Sequence, residues 1–285
     1  MIDVQPPVPV LTIVFSVFNL IVSLAIPVVL FLVFRKKFGC RSAPFIAGML
    51  TFIVFSMILE PLLHNLAGIS DPNSPIVNNI WLYALYGGFA AGIFEETGRF
   101  VTMKLFLKKY YDNDRNALMF GAGHGGIEAV LILGSGSVNN IMYAVMLNSG
   151  MEQTLLDALP DEALKTQLQT IFDQIRTTHP AMLLVAPAER LIAVTFHIAL
   201  SVLVWLAATR KGKTWLYPLA VVLHAVLDGA MVIVNKFTGS LLITELFIAV
   251  FTAAVCFFSY RIWKASKKTG SGERCSPAGT ITRQT

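Results

Sequence analysis

Long apolar runs separated by short basic clusters constrain the fold of this 285-residue chain more than any other feature. Each run is long enough for a helix that crosses the bilayer hydrocarbon, which takes about 20 residues. Only helices and closed barrels satisfy every backbone polar group in lipid. The runs cover about 9–34, 43–63, 80–104, 116–147, 182–208, 215–234 and 241–263. They predict an all-α, polytopic integral membrane bundle of about seven transmembrane helices.

Composition excludes an ordinary soluble domain. Hydrophobic residues make up 55% of the chain, charged residues only 14%, and the mean hydropathy is +0.66. The net charge of +5 does not indicate nucleic acid, because the basic residues lie in short clusters between apolar runs. The three cysteines show no CxxC spacing, so neither disulfides nor a cysteine metal site is expected.

The basic residues also predict orientation. Alternate threading of seven spans leaves only Lys165, Arg176 and Lys236 on one side of the membrane. The basic residues on the other side are Arg35, Lys36, Lys37, Arg41, Lys104, Lys108, Lys109, Arg115, Arg210, Lys211, Lys213, Lys264, Lys267, Lys268, Arg274 and Arg283. Basic residues concentrate on the cytoplasmic side. We therefore expect a multi-pass protein of the cell membrane, with its N-terminus outside and its C-terminus in the cytoplasm.

The domain organisation predicted from these runs is simple. Residues 1–265 are expected to form a single transmembrane domain, and residues 266–285 a disordered cytoplasmic tail. The segment of about 149–180 has leucines and isoleucines on one helical face, which is typical of an extracytoplasmic amphipathic helix. The run 116–147 contains Gly-Ser-Gly-Ser at 134–137, so we expect a span followed by a re-entrant or interfacial piece.

One stretch within the third run carries three charges. Glu95, Glu96 and Arg99 follow an almost wholly apolar sequence and are themselves followed by apolar residues. Ionisable groups at such depth are costly, which makes them candidates for function. A buried Glu–Arg pair that only locks two helices is the structural alternative. One arginine balances the charge of one carboxylate, so the second adjacent carboxylate favours a function beyond helix packing.

Other spans place ionisable groups at a similar depth. Counting 1.5 Å per helical residue from the cytoplasmic ends puts all of them roughly 12 to 20 Å into a hydrocarbon core about 30 Å thick. These residues are Glu95, Glu96, His124, Glu128, His197, His224 and Asp228. Four different spans therefore contribute ionisable groups to one level near the midplane. His64 and His179, which are expected in loops outside the spans, are interpreted as packing histidines.

Spacing supports a shared cavity. His124 and Glu128 are four residues apart, as are His224 and Asp228, so each pair lies on one helical face. Imidazole and carboxylate groups are the ligands of catalytic zinc, and a nearby carboxylate can act as general base on a water. The sequence thus predicts a metal site, with Zn²⁺ as the expected ion and the identity of the metal left open.

Four ordered motifs in these spans resemble those of a known family. They are Glu95-Glu96-x-x-Arg99, His124-Gly-Gly-Ile-Glu128-Ala, Thr-Phe-His197-Ile-Ala-Leu and His224-Ala-Val-Leu-Asp228-Gly. Together, over a motif-bearing core of about 81–229, they resemble the YhfC family of intramembrane metalloproteases, which is similar to PrsW-like proteases and CAAX prenyl endopeptidases. The resemblance implies an all-helical membrane fold and a hydrolase that activates water at the bilayer midplane.

The resemblance also implies roles for these residues. Glu95 or Glu96 is the water-activating base, and Arg99 holds the carboxylates. Helical spacing lets either glutamate pair with Arg99 and only one face the same cavity as His224 squarely. The preferred arrangement, with both kept as candidates, directs Glu95 to Arg99 and Glu96 to the water. His124 joins them as a catalytic residue. The implied metal ligands are Glu128, His197, His224 and Asp228. PrsW-like members carry an aromatic residue where His124 stands, so His124 and Glu128 remain alternatives as ligand.

Two other classes of function stay open at this point. An ion- or proton-coupled transporter also places ionisable groups at the midplane, although the sequence shows no internal repeat. A non-catalytic membrane scaffold could use the same residues only to fix helix packing. For the protease, the expected partners are the lipid bilayer and a membrane protein or peptide substrate; the sequence does not define the oligomeric state.

Overall fold

A computed structural model describes residues 7–269, which form helices and short connections without any strand in that range. Most of the helices are long, as the apolar runs predict. They are α1 Val10–Phe38, α2 Ser42–Val54, α3 Glu60–Leu66, α4 Pro75–Asn78, α5 Ile80–Phe106, α6 Asn116–Ala129, α7 Ser135–Asn148, α8 Glu152–Asp157, α9 Glu162–Thr177, α10 Val185–Thr209, α11 Leu216–Thr238 and α12 Leu241–Thr269. The prediction of an all-α, polytopic membrane protein is confirmed.

Six helical segments of the described chain are long and apolar enough to cross a membrane. They are Val10–Phe38, Ser42–Leu66, Asn116–Asn148, Pro180–Thr209, Leu216–Thr238 and Leu241–Lys267. The 27-residue helix α5 is not in this set, because Glu95, Glu96, Arg99 and Lys104 lower its hydropathy. It nevertheless lies along α11, which is one of the six, so about seven crossings remain consistent with the fold.

Helix α5 lies unusually close to α11. A Cβ atom added at Gly88 would lie 2.3 Å from the carbonyl oxygen of Ala225, and one added at Gly92 would lie 2.7 Å from that of Val221. Real Cβ atoms do not approach so closely, so only glycine permits this backbone contact. Small residues allow helices to pack closely in membranes, where packing replaces the hydrophobic effect.

Two helical segments contain a π-helical turn. Residues Phe55–Leu59 join α2 to α3, and residues Val130–Gly134 join α6 to α7. The helix therefore continues from Asn116 to Asn148. The expectation of a separate re-entrant piece after the first part of this run was wrong, because the glycines and serines at 134–137 are accommodated by a wider turn. Such turns occur often at functional sites.

The described residues divide into two compact units, within the range expected to form one domain. One unit comprises the chain up to Val28 together with Glu128–Leu191. It contains the amphipathic helix α9, begun by Asp161, whose side chain accepts from the N–H of Leu164. The buried core of this unit is formed by Val8, Ala144, Leu147, Leu156, Phe172 and Ile175.

The other unit comprises Val29–Ile127 and the chain from Ile192 onward. Its buried core is built largely from α10, and most of that helix from Phe196 to Ala208 is inaccessible. Helix α12 runs to Thr269 and thus includes the first residues of the expected tail. Residues 270–285 of that tail lie outside the described range.

Candidate functional site

Three charged side chains of α5 form the centre of the candidate site. Glu96 and Arg99 are fully buried, and Glu95 is 7% exposed. Arg99 donates from Nη1 to Glu96 Oε1 at 2.6 Å and from Nη2 to Glu95 Oε2 at 3.2 Å. The spacing of three and four residues on one helix makes this fork possible. One guanidinium therefore holds both carboxylates.

Three histidines from three other helices converge on these groups, and all three are buried. His124 of α6 lies 2.8 Å from Glu95 Oε2 through Nε2, and His224 of α11 lies 2.8 Å from Glu96 Oε1 through Nδ1. His197 of α10 lies 2.6 Å from Arg99 Nη2 through Nδ1. Direct contacts with one another or with Arg99 thus bring together five of the seven groups that were predicted to share one depth, namely Glu95, Glu96, His124, His197 and His224.

One subset of these residues has the geometry of a metal-ligand group. Glu95, His197 and His224 each offer one donor atom, and these atoms lie within 4.8 Å of one another. The imidazole rings of His197 and His224 are 5.5 Å apart between centroids. Buried imidazole and carboxylate donors at such distances match the donor types of a catalytic zinc site, which keeps a position open for water.

The structure differs from the sequence prediction for the two glutamates. Since adjacent helical residues point about 100° apart, only one of the pair was expected to face His224. Glu96 contacts His224 directly, and Glu95 belongs to the same donor group as His224. Arg99 contacts both carboxylates, and both side chains therefore reach the cluster.

Asp228 lies at the edge of this cluster. Its Oδ2 is 3.4 Å from His224 Nε2, and its side chain is 33% exposed, against 3% for His224. It is outside the three-residue donor group. The two ring nitrogens of His224 therefore lie between a fully buried glutamate and a partly exposed aspartate, an arrangement that orients the imidazole.

Glu128 has a charged partner that the sequence analysis did not name. It lies in the other compact unit, where its Oε1 accepts from Arg190 Nη1 at 2.8 Å. Arg190 also contacts Glu189. The assignment of Glu128 as a metal ligand stays a prediction. Sequence reasoning overlooked Arg190, although two adjacent charges inside the expected fifth span were a visible signal.

Two contacts bear on whether the cluster fits a metal. Glu96 Oε2 is buried and has no hydrogen-bond partner among the described residues, so the cluster has capacity for a further polar ligand. Arg99 Nη2, however, already donates to Glu95 Oε2 and His197 Nδ1. A cation held by Glu95 Oε2 and His197 Nδ1 would compete with Arg99 Nη2 for these atoms. Arg99 can lose both contacts and still keep its hydrogen bond from Nη1 to Glu96.

Comparisons with known proteins agree with this chemistry. A family model described as YhfC intramembrane metalloprotease matches residues 22–251. A relative from Bacillus subtilis (strain 168), described as "Uncharacterized membrane protein YhfC", is 33% identical over 217 residues, which cover 75% of this chain and 82% of the relative. No solved structure matches the chain significantly.

Proposed function

The chain belongs to the YhfC intramembrane metalloprotease family, and from this membership and its buried cluster we propose that it hydrolyses peptide bonds within the membrane. The observation that carries the proposal is the group formed by Glu95, His197 and His224, whose donor atoms lie within 4.8 Å of one another inside an apolar protein. The proposed substrate class is a membrane protein or peptide, which reaches the site from the bilayer.

Glu95, His197 and His224 are proposed to hold the metal, for which zinc is the first candidate. When bound, such an ion would supply Lewis acidity, which polarises the attacking water and the peptide carbonyl. Asp228 contacts His224 Nε2 and is the residue best placed to join as a further oxygen ligand. Glu128 stays a predicted further ligand, and its Oε1 accepts a hydrogen bond from Arg190 Nη1.

Glu96 is proposed as the general base. Its Oε1 is held by both Arg99 and His224, which fixes the carboxylate, whereas Oε2 has no hydrogen-bond partner among the described residues. A fixed carboxylate with one available oxygen can accept a proton from a water and pass it to the departing amine. The proposal keeps Glu96 as the base, as preferred from the sequence, although Arg99 contacts both glutamates and lies closer to Glu96.

Arg99 and His124 are proposed as positioning residues. Arg99 is fully buried and is the cation that allows two adjacent carboxylates to remain ionised in a low-dielectric environment. His124 is also fully buried and contacts Glu95 Oε2, so it fixes the orientation of that carboxylate. Loss of either contact displaces Glu95 from the donor group.

The test compares Glu96→Gln with wild type in detergent or proteoliposomes, with a membrane peptide library as substrate. The amide keeps the shape of the side chain but cannot take the proton, so cleavage should fall by about 10²-fold or more while bound metal is retained. An Asp112→Asn variant is the matched control, since the Asp112 side chain is 60% exposed and pairs with Arg41, and it should cleave like wild type. Full cleavage by both Glu96→Gln and Glu95→Gln contradicts the mechanism.

A further inference from the structure

A polar stripe crosses one half of an otherwise apolar span and takes no part in the proposed chemistry. Ser56, Glu60 and His64 are spaced four residues apart and therefore share one helical face of the segment Ser42–Leu66. Met57 and Ile58, between them, are 51% and 53% exposed and belong to the lipid-facing surface. The stripe thus faces into the protein rather than towards lipid.

The outer end of the stripe is held by hydrogen bonds. His64 Nδ1 lies 2.9 Å from the hydroxyl of Tyr86 on α5, and His64 Nε2 lies 3.4 Å from Glu60 Oε1. Side-chain exposure falls inwards along the stripe, from 35% for His64 to 12% for Glu60. The connection Ala67–Asn79 begins three residues beyond His64, so this end lies near the aqueous surface.

The inner end of the stripe reaches the candidate site. Phe55, next to Ser56, lies against Gly98 of α5, where an added Cβ would be 2.6 Å from the Phe55 ring, so this turn is level with Arg99. The hydroxyl of Ser56 is buried and has no hydrogen-bond partner among the described residues. Glu60, one turn further out, interacts electrostatically with Glu95, His224 and Asp228. Ser56 also lies in the π-helical turn Phe55–Leu59, a feature that often marks functional sites.

Asp228 lies at the same end of the site. Its neighbour Gly229 lies against Ala84, two residues before Tyr86 on α5, so Asp228 and Tyr86 occupy similar levels. A carboxylate that is 33% exposed at this depth does not face lipid at an acceptable cost. The exposed part of the Asp228 side chain therefore lies in a polar environment.

We propose that Ser56, Glu60 and His64, with Tyr86 opposite them, line the path by which water reaches Glu95 and Glu96. Hydrolysis consumes one water per bond, and no such molecule can dissolve readily in the surrounding hydrocarbon. The path opens on the side of the Ala67–Asn79 connection, where His64 and Tyr86 form its outer constriction. Only the purpose of this path rests on the proposed hydrolytic function; its position rests on the stripe itself.

Thiol labelling tests the path without any measurement of activity. Cys40, Cys256 and Cys275 are first replaced by Ala, and Ser56→Cys, Met57→Cys and Ile58→Cys are introduced singly in the full-length protein in liposomes. A small, membrane-impermeant methanethiosulfonate reacts with the thiolate, which forms in water and not in lipid. Ser56→Cys should therefore react at least about tenfold faster than either neighbour, and from the side of the Ala67–Asn79 connection only.

A second variant tests the role of Glu60 in the same assay. Glu60→Leu replaces a polar residue of the lining with an apolar one and should slow labelling of Ser56→Cys by about tenfold, because an apolar passage loses its water. Where wild type cleaves a substrate, the same substitution should lower kcat while KM stays within twofold.

The results separate the two proposals. Labelling of Ser56→Cys no faster than that of Ile58→Cys, or only from the opposite side, overturns the path whatever the activity. Labelling of Ser56→Cys that Glu60→Leu leaves unchanged overturns the part assigned to Glu60. Absence of cleavage by wild type, with the expected labelling pattern, contradicts the protease and leaves the water path standing.

Discussion

Replacing Arg99 with Ala removes the one cation that lies between two buried glutamates. Arg99 is fully buried and contacts Glu96 at 2.6 Å, Glu95 at 3.2 Å and His197 at 2.6 Å. Breaking a buried ion pair by removing one partner costs about 3–5 kcal/mol, because the other charge stays buried without compensation. Arg99→Ala should therefore lower the free energy of unfolding by about that amount.

The measurement is a denaturant titration in mild detergent, followed by tryptophan fluorescence, with a chelator present so that no metal replaces the lost cation. Every 1.4 kcal/mol changes the equilibrium tenfold, so the folding constant should fall by about 150-fold to several thousand-fold. The control is Arg41→Ala, whose pair with Asp112 is 3.8 Å long and more than half exposed. Exposed pairs contribute roughly 0–1 kcal/mol.

A compensating variant shows whether the cost comes from the carboxylates. Adding Glu95→Gln and Glu96→Gln to Arg99→Ala removes the uncompensated charges, so part of the lost stability should return. An Arg99→Ala protein that loses no more stability than Arg41→Ala would falsify the view that Arg99 holds two ionised glutamates. A triple variant less stable than Arg99→Ala alone would contradict the electrostatic cause.

Three further outcomes follow from the fold. Gly88→Ala should destabilise the protein by about 1–3 kcal/mol through overpacking, whereas its neighbour Gly87 has open space at the Cβ position and should tolerate Ala; equal thermal stability of both variants contradicts the close helix contact. A reporter fused after residue 263 should be active in the cytoplasm and one placed between residues 157 and 176 outside, and the reverse pattern contradicts the predicted topology. The hydrogen bond from Arg176 lowers the pKa of Glu152 in the folded protein. The stabilisation from this bond is fully present above the unfolded-state pKa of about 4.3 and is lost as the pH falls through the lower folded-state pKa. Resistance of α8 and α9 to an added soluble protease should therefore fall at acid pH in wild type, and Glu152→Gln should remove this pH dependence. An acid transition that Glu152→Gln leaves unchanged contradicts the prediction.

Helix positions could be predicted from sequence because apolar runs and basic ends fix them. The first span was expected over 9–34 and is helical over Val10–Phe38. The break expected at 134–137 is absent, since local composition does not reveal that a π-helical turn can absorb the glycines. Residue depth along each span also predicted the convergence of His124, His197 and His224.

The partners of individual side chains could not be predicted in the same way. Depth placed Glu128 at the level of the site, but it does not define the direction in which a side chain points. The contact of Glu128 with Arg190 could therefore not be predicted from depth. Spacing likewise left open which glutamate pairs with Arg99, and both do. The stripe of Ser56, Glu60 and His64 required the structure, because its significance depends on Tyr86 and Glu95 opposite it.

The central claim is that Glu95, His197 and His224 hold a catalytic metal ion. Elemental analysis of detergent-purified protein tests it most directly, with wild type compared with His197→Ala, His224→Ala and a control. The control is His179→Ala, whose exposed side chain accepts a hydrogen bond from the N–H of Ala181. The account predicts about one bound ion per chain in wild type and His179→Ala, and loss of most of it in the other two variants. Equal metal content in all four proteins, or none in wild type supplied with zinc, would contradict the account.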